Sequence, residues 1–177
     1  MLRLFTAIEV PKDIGQSLSV LRGGLPGARW IDPENYHITL RFIGEIDDAL
    51  AHDVASLLDG ISRRPFELQL DGLSSFGGNK PRAIIASVAP TKALLELQAE
   101  HESIMKRMRV PGDSRKFTPH VTLARLRNSS PREVAEYLTA RTYKSAPFRI
   151  SRFVLYSSRA STGGGPYVVE AAYPLAA

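Results

Sequence analysis

The chain is predicted to be an α+β protein of two pseudo-symmetric lobes, each an antiparallel sheet with outer helices, around a cleft. Three observations predict it. Strand-type and helix-type patterns alternate along all 177 residues. After an initial strand, the order helix, strand, helix, strand, strand occurs twice. The motif His–apolar–Thr–Leu stands at His37 and again at His120, and the pair Pro65-Phe66 recurs at Pro147-Phe148. A duplication with a period near 83 residues, the spacing of the two histidines, accounts for all three. The expected organisation is one bilobal domain over 1–177, with the first-motif lobe built mainly from 11–88 and the second mainly from 91–173.

The elements follow from local patterns. Leu2 to Glu9 is rich in strand formers and reads as a buried strand. Pro11 suits a first helical position, Ile14, Leu18 and Leu21 recur at helical spacing, and Gly23-Gly24 ends the run. Leu25 to Asn35 reads as a loop. Tyr36 to Ile43 is a strand, stopped by Gly44. Asp47 caps a helix to about Gly60, whose apolar stripe holds Leu50, Val54, Leu57, Leu58 and Ile61. Phe66 to Leu73 begins with a two-residue alternation and reads as one strand. A glycine-containing loop, Ser74 to Pro81, leads to a strand from Arg82 to Val88.

In the second half, Thr91 to Arg109 is the longest helical pattern, Val110 to Pro119 a loop, and His120 to Leu126 a strand. Ser130-Pro131 starts a helix to about Arg141. Phe148 to Ser157 and Tyr167 to Tyr173 are strands, joined by a turn at Gly163-Gly164-Gly165.

Composition narrows the chemistry. With no cysteine, the chain has no disulfide framework, thiolate metal site or cysteine nucleophile. No apolar run approaches the roughly 20 residues of a spanning helix, and Glu9 and Pro11-Lys12-Asp13 break any resemblance to a secretory leader. A cytoplasmic protein with no membrane association is expected. The net charge is +5, and 17 of the 23 cations are arginine, whose planar fork suits phosphate.

The repeated motif carries the chemistry. On a strand, residues i and i+2 share a face, so His37 and Thr39 point one way and Ile38 and Leu40 the other. The same holds for His120 and Thr122 against Val121 and Leu123. If the lobes face each other, two imidazoles and two hydroxyls converge. Two histidines can divide general base and general acid work near neutrality. Two threonine hydroxyls can hydrogen-bond phosphate oxygens as charge develops. This set suffices to cleave a phosphodiester by attack of water, with no metal, cofactor or covalent intermediate. His52 and His101 lie in helical patterns without such company and are read as structural. A zinc site from His37 and His120 lacks further ligands.

The chain resembles the two-histidine phosphoesterases, and within them the LigT-like RNA 2′,3′-cyclic phosphodiesterases, formerly called 2′-5′ RNA ligases. The resemblance rests on Leu2-Arg3-Leu4-Phe5-Thr6-Ala7-Ile8, Ala28-Arg29-Trp30, the stretch His37 to Glu45, the stretch Phe117 to Arg125, and Phe153 to Ser158. It implies opening of a 2′,3′-cyclic phosphate on RNA ends or nucleotides to a 2′-phosphate. It further implies that His37 is the proton donor, His120 the proton acceptor, and Thr39 and Thr122 the phosphate-binding hydroxyls. The two motifs are equivalent by spacing, so the donor and acceptor roles come from the resemblance alone.

The family also places an arginine at Arg125. Strict alternation puts Arg125 opposite His120 and puts Arg41 on the His37 face, so both are carried as substrate contacts, a bulge being one way to turn Arg125 inward. Phe5 and Tyr156 are candidates for base stacking. Alternatives are a reversible 2′-5′ RNA ligase, an ADP-ribose cyclic phosphodiesterase, or a non-catalytic nucleotide- or RNA-binding module. A monomer with no obligate protein partner is expected.

Overall fold

A computed structural model describes residues 2–112, 115–159 and 165–176. Gly163 and Gly164 of the expected turn lie outside them. The elements are β1 (Leu2–Glu9), α1 (Lys12–Ser19), β2 (Ala28–Trp30), a 3-10 turn (Pro33–Asn35), β3 (His37–Gly44), α2 (Asp48–Leu58), β4 (Phe66–Leu68), β5 (Leu70–Phe76), β6 (Ala83–Val88), α3 (Lys92–Arg107), β7 (His120–Leu126), α4 (Pro131–Thr139), β8 (Phe148–Ile150), β9 (Arg152–Arg159) and β10 (Tyr167–Pro174). Among the described residues, no helix is long and apolar enough to cross a membrane.

Three helices start on side-chain caps. Asp47 accepts from the Leu50 N–H, Thr91 from the Leu94 N–H, and Ser130 forms a reciprocal capping box with Glu133. Three expectations are corrected. The loop before the first motif contains β2, which pairs with β7 from Ala28 opposite Leu126 to Trp30 opposite Ala124. The single strands expected at 66–73 and 148–157 are each two strands, and the first pair runs on to Phe76. In both places a short strand leaves for a second sheet before the chain returns to the main one.

The main sheet runs β10-β9-β1-β3-β7-β6-β5, with β2 also on β7. Its two halves join where β3 and β7 meet at one antiparallel pair, Ile38 with Val121. These residues occupy equivalent motif positions, so the pseudo-twofold axis passes between them. The small sheet repeats the relation: β4 pairs with β8 with Glu67 opposite Arg149 at the centre. One register pair between β3 and β7 leaves the strands free to diverge, and the cleft opens there.

The pairing moves the repeat boundary. β1 and β6 each lead, through one helix, to a motif strand that pairs beside them. The repeats therefore begin at β1 and β6 rather than at residues 11 and 91. Each lobe also takes two strands from the other repeat, β9 and β10 on the first-motif side and β5 and β2 on the second-motif side. β5 pairs with β6, on the second-motif side, and β9 pairs with β1, on the first-motif side. The lobe assignment of 11–88 and 91–173 is corrected accordingly: local periodicity does not reveal a strand exchanged across the duplication.

Apolar side chains from both halves form one large core. α3 packs on β3 and against α2, behind the first motif, while α4 reaches β5 behind the second. His101 of α3 is completely buried; its Nδ1–H donates to the Leu97 carbonyl at 3.0 Å, its ring meets the Phe153 ring edge-on at 4.7 Å, and Nε2 has no partner. Burial, reinforced by the Arg41 and Arg63 charges, pushes its pKa down to about 3.

An unfolded histidine titrates near 6.5. Between that pH and about 3 the unfolded chain holds a proton that the folded chain refuses, so His101 leaves stability intact above pH 6.5 and erodes it on acidification. From pH 6.5 to 5 the cost is about 2 kcal/mol for this group. Urea unfolding at pH 7 and pH 5 measures it. His101→Leu is expected to lose correspondingly less stability over this interval; an unchanged loss would rule out His101 as the source.

Candidate active site

The four motif side chains share one cleft of about 1060 Å³, lined by His37, Thr39, His120 and Thr122. The alternation read from sequence is present: 37 and 39 are half-buried on the cleft face while 38 and 40 are in the core, and 120 to 123 repeat the pattern.

Each imidazole is held from behind by a backbone carbonyl. His37 Nδ1 lies 2.9 Å from the Asn35 oxygen and His120 Nδ1 lies 2.8 Å from the Thr118 oxygen. A carbonyl only accepts, so Nδ1 carries the proton in both rings and Nε2 is the working nitrogen. Asn35 and Thr118 are themselves equivalent by the duplication, two residues before each histidine. His37 Nε2 lies 3.1 Å from Thr39 Oγ1, which donates to it when the ring is neutral.

Rings set the remaining geometry. Phe5 at 5.1 Å, Tyr167 at 5.0 Å and Tyr156 at 5.9 Å surround His37. Phe76 meets His120 edge-on at 4.8 Å. Burial pushes the His37 pKa down to about 4 against the pull of the Asn35 carbonyl, and the His120 and Arg125 charges push the same way. Burial likewise lowers the His120 pKa, opposed by the Thr118 carbonyl and aided by Arg125. Without substrate, both rings favour the neutral form.

The arginine question turns on a bulge. In the β1–β3 pairing Thr6 faces Arg41 but Ala7 faces Thr39, so Leu40 is an extra residue. In the β6–β7 pairing Ile84 faces Ala124 but Ile85 faces Thr122, so Leu123 is extra in the same way. Past each bulge the faces exchange. Arg125 is exposed in the cleft, and its equivalent in the first motif is Phe42 rather than Arg41.

Arg41 lines the cleft, as the alternation predicts, but its guanidinium is committed to partners within the protein. It is 6% exposed, its Nε–H donates to Glu102 at 2.7 Å, and it also donates to the Phe42 and Val110 carbonyls. It ties β3 to α3 and to the start of the loop before β7.

Phe5 and Tyr156 are corrected as base-stacking surfaces. Both are buried and form a small cluster with Ala7 and Val154 that supports the His37 ring. The aromatics that open to the cleft are Phe42, which is 54% exposed, and the half-buried Phe76, Phe117 and Tyr167. Phe42 was readable only by placing the bulge, and the two orienting carbonyls leave no side-chain signal. His52 and His101 lie outside the cleft lining. Among the described residues, no cluster of three or more His, Cys, Asp or Glu side chains could hold a metal ion.

A duplicated α+β fold with His-x-Thr strands meeting on one axis defines the class of two-histidine phosphoesterases. The LigT-like phosphoesterase family model matches this chain twice, over residues 8–86 and 85–167, one match for each half. The chain belongs to the LigT-like phosphoesterase family. An RNA 2′,3′-cyclic phosphodiesterase of Aquifex aeolicus is 32% identical over 80% of this chain and 78% of its own length. One of Thermotoga maritima is 28% identical over 95% of this chain and 92% of its own. Among solved structures, Escherichia coli LigT complexed with 3′-AMP superposes with a TM-score of 0.81 at 25% identity, covering 98% of this chain and 97% of that one.

Proposed function

We propose that the chain is an RNA 2′,3′-cyclic phosphodiesterase that hydrolyses the cyclic ester to a 2′-phosphate without a metal. The convergence of two imidazoles, each with Nε2 turned to one cleft, carries the reading. The similarity to curated cyclic phosphodiesterases supports the substrate class.

His120 Nε2 takes a proton from water as its oxygen attacks phosphorus opposite the 3′ oxygen. The P–O3′ bond breaks, and His37 Nε2–H delivers a proton to the departing 3′ oxygen. The product is a 2′-phosphate beside a free 3′ hydroxyl. Thr39 and Thr122 hydroxyls donate to the non-bridging oxygens, and Arg125 offsets their charge. Phosphate in the site draws the histidine pKa values upward, so a proton disfavoured on His37 in the free site is held in the complex.

The test is an RNA ending in a 2′,3′-cyclic phosphate, incubated with the protein in EDTA, with the product phosphate located by NMR. Turnover to the 2′-phosphate is expected. No turnover, or activity lost to EDTA and restored by magnesium or zinc, would overturn the reading.

A further inference from the structure

Beside the main cleft lies a smaller pocket of about 190 Å³ that shares His37, Thr39, Phe42, Arg125 and Tyr167 with it and adds Arg3, Phe5, Ser158, Arg159 and Gly165. The phosphodiesterase mechanism above makes no use of Arg3, Ser158 or Arg159. Their placement follows from the sheet. Arg3 lies two residues before Phe5 on β1, hence on the same face, roughly 6.6 Å further along the strand. Ser158 is the register partner of Arg3 on β9, and Arg159 is the next residue.

The pocket lining holds three guanidinium groups and no carboxylate. Arg3 reaches Glu45 at 3.7 Å with both side chains substantially exposed, a pairing worth little in water. Arg125 and Arg159 have no ion pair among the described residues. The two cavities differ in size and in their acidic groups. The large one has room for a ribose and base and holds the Glu102 carboxylate among its cations, and the small one sets its three guanidinium groups beside Phe5, Phe42 and Tyr167 with no carboxylate.

We propose that this small pocket is a second phosphate subsite, which takes the phosphate on the 5′ side of the terminal ribose. This rests on the phosphodiesterase reading. A 3′-terminal cyclic phosphate has its nearest neighbouring phosphate one nucleotide away, on the 5′ side. The catalytic centre and the pocket, in contact through His37 and Thr39, accommodate that pair. Arg3 and Arg159 are then specificity determinants that favour strand ends over free nucleosides, through charge-assisted hydrogen bonds.

The experiment compares kcat/KM for uridine 2′,3′-cyclic phosphate, its 5′-phosphorylated form, and adenylyl-uridine ending in a 2′,3′-cyclic phosphate. The wild type is expected to favour both 5′-phosphorylated substrates by about tenfold or more, the effect of one or two hydrogen bonds to a charged group. In Arg3→Gln/Arg159→Gln that advantage is expected to disappear, with the nucleoside rate within twofold of wild type.

The proposal is overturned if the variant keeps the advantage, or if it loses all three activities equally. It is also overturned if the gain is confined to the dinucleotide, or if Arg82→Gln/Lys116→Gln on the opposite wall removes it instead. Absence of any turnover by the wild type, nucleoside included, is a different result. It removes the phosphodiesterase reading itself.

Discussion

His37→Ala and His120→Ala are each expected to lower kcat for 2′,3′-cyclic phosphate hydrolysis by about 10²- to 10⁴-fold, the range for loss of a positioned general acid or base. The double variant should fall little further than the worse single variant, because the two proton transfers serve one displacement. Both side chains are half-buried at the cleft, so folding should survive and circular dichroism should be unchanged.

Equal losses do not distinguish donor from acceptor, and the leaving group does. With sulfur in place of the 3′ oxygen, a thiolate departs without needing a proton. The sulfur substrate is expected to rescue His37→Ala and not His120→Ala. Rescue of His120→Ala alone would reverse the two roles. The pH dependence gives an independent reading. Burial holds both free imidazoles below 6.5, with His37 near 4, and bound phosphate raises them. The basic limb of kcat should therefore lie at higher pH than the basic limb of kcat/KM.

The candidate motif is legible because strand geometry alone decides it: with a period of two, His37 and Thr39 must share a face. The duplication was legible for the same reason, since its markers are local. What the sequence hid is what depends on pairing. The extra residues Leu40 and Leu123 become visible only against β1 and β6, and each exchanges the faces beyond it. Unbroken alternation therefore turns Arg125 away from the cleft, where the structure exposes it, and offers Arg41 to a substrate, where the structure leaves it on the cleft wall but buried and bound to Glu102. Phe5 and Tyr156 are ambiguous in sequence because an aromatic on a strand can pack beneath a ring or offer it a surface, and composition does not distinguish the two. The exchange of β5 and β9 between lobes is a long-range choice, which residues 66–76 and 148–159 do not encode by themselves.

The second large effect lies with the hydroxyls. Thr39→Val and Thr122→Val keep the branched shape and remove only the oxygen, so each deletes one donor aimed at the phosphate. Loss of a single preorganised donor to a developing oxyanion costs about 10²- to 10³-fold in kcat. The in-line displacement gathers charge on the non-bridging oxygens as the P–O3′ bond opens, so the hydroxyls should bind the transition state more tightly than the ground state. The loss is then expected in kcat with KM nearly unchanged.

Thr39→Ser and Thr122→Ser restore the oxygen on a less constrained side chain and should recover most of the rate. Thr39 has a further contact, since its Oγ1 lies 3.1 Å from His37 Nε2. Thr39→Val should therefore also shift the pH limb assigned to His37. A rise in KM with kcat intact would make the hydroxyls ground-state anchors. Valine variants within threefold of the wild-type kcat would remove Thr39 and Thr122 from the reaction altogether.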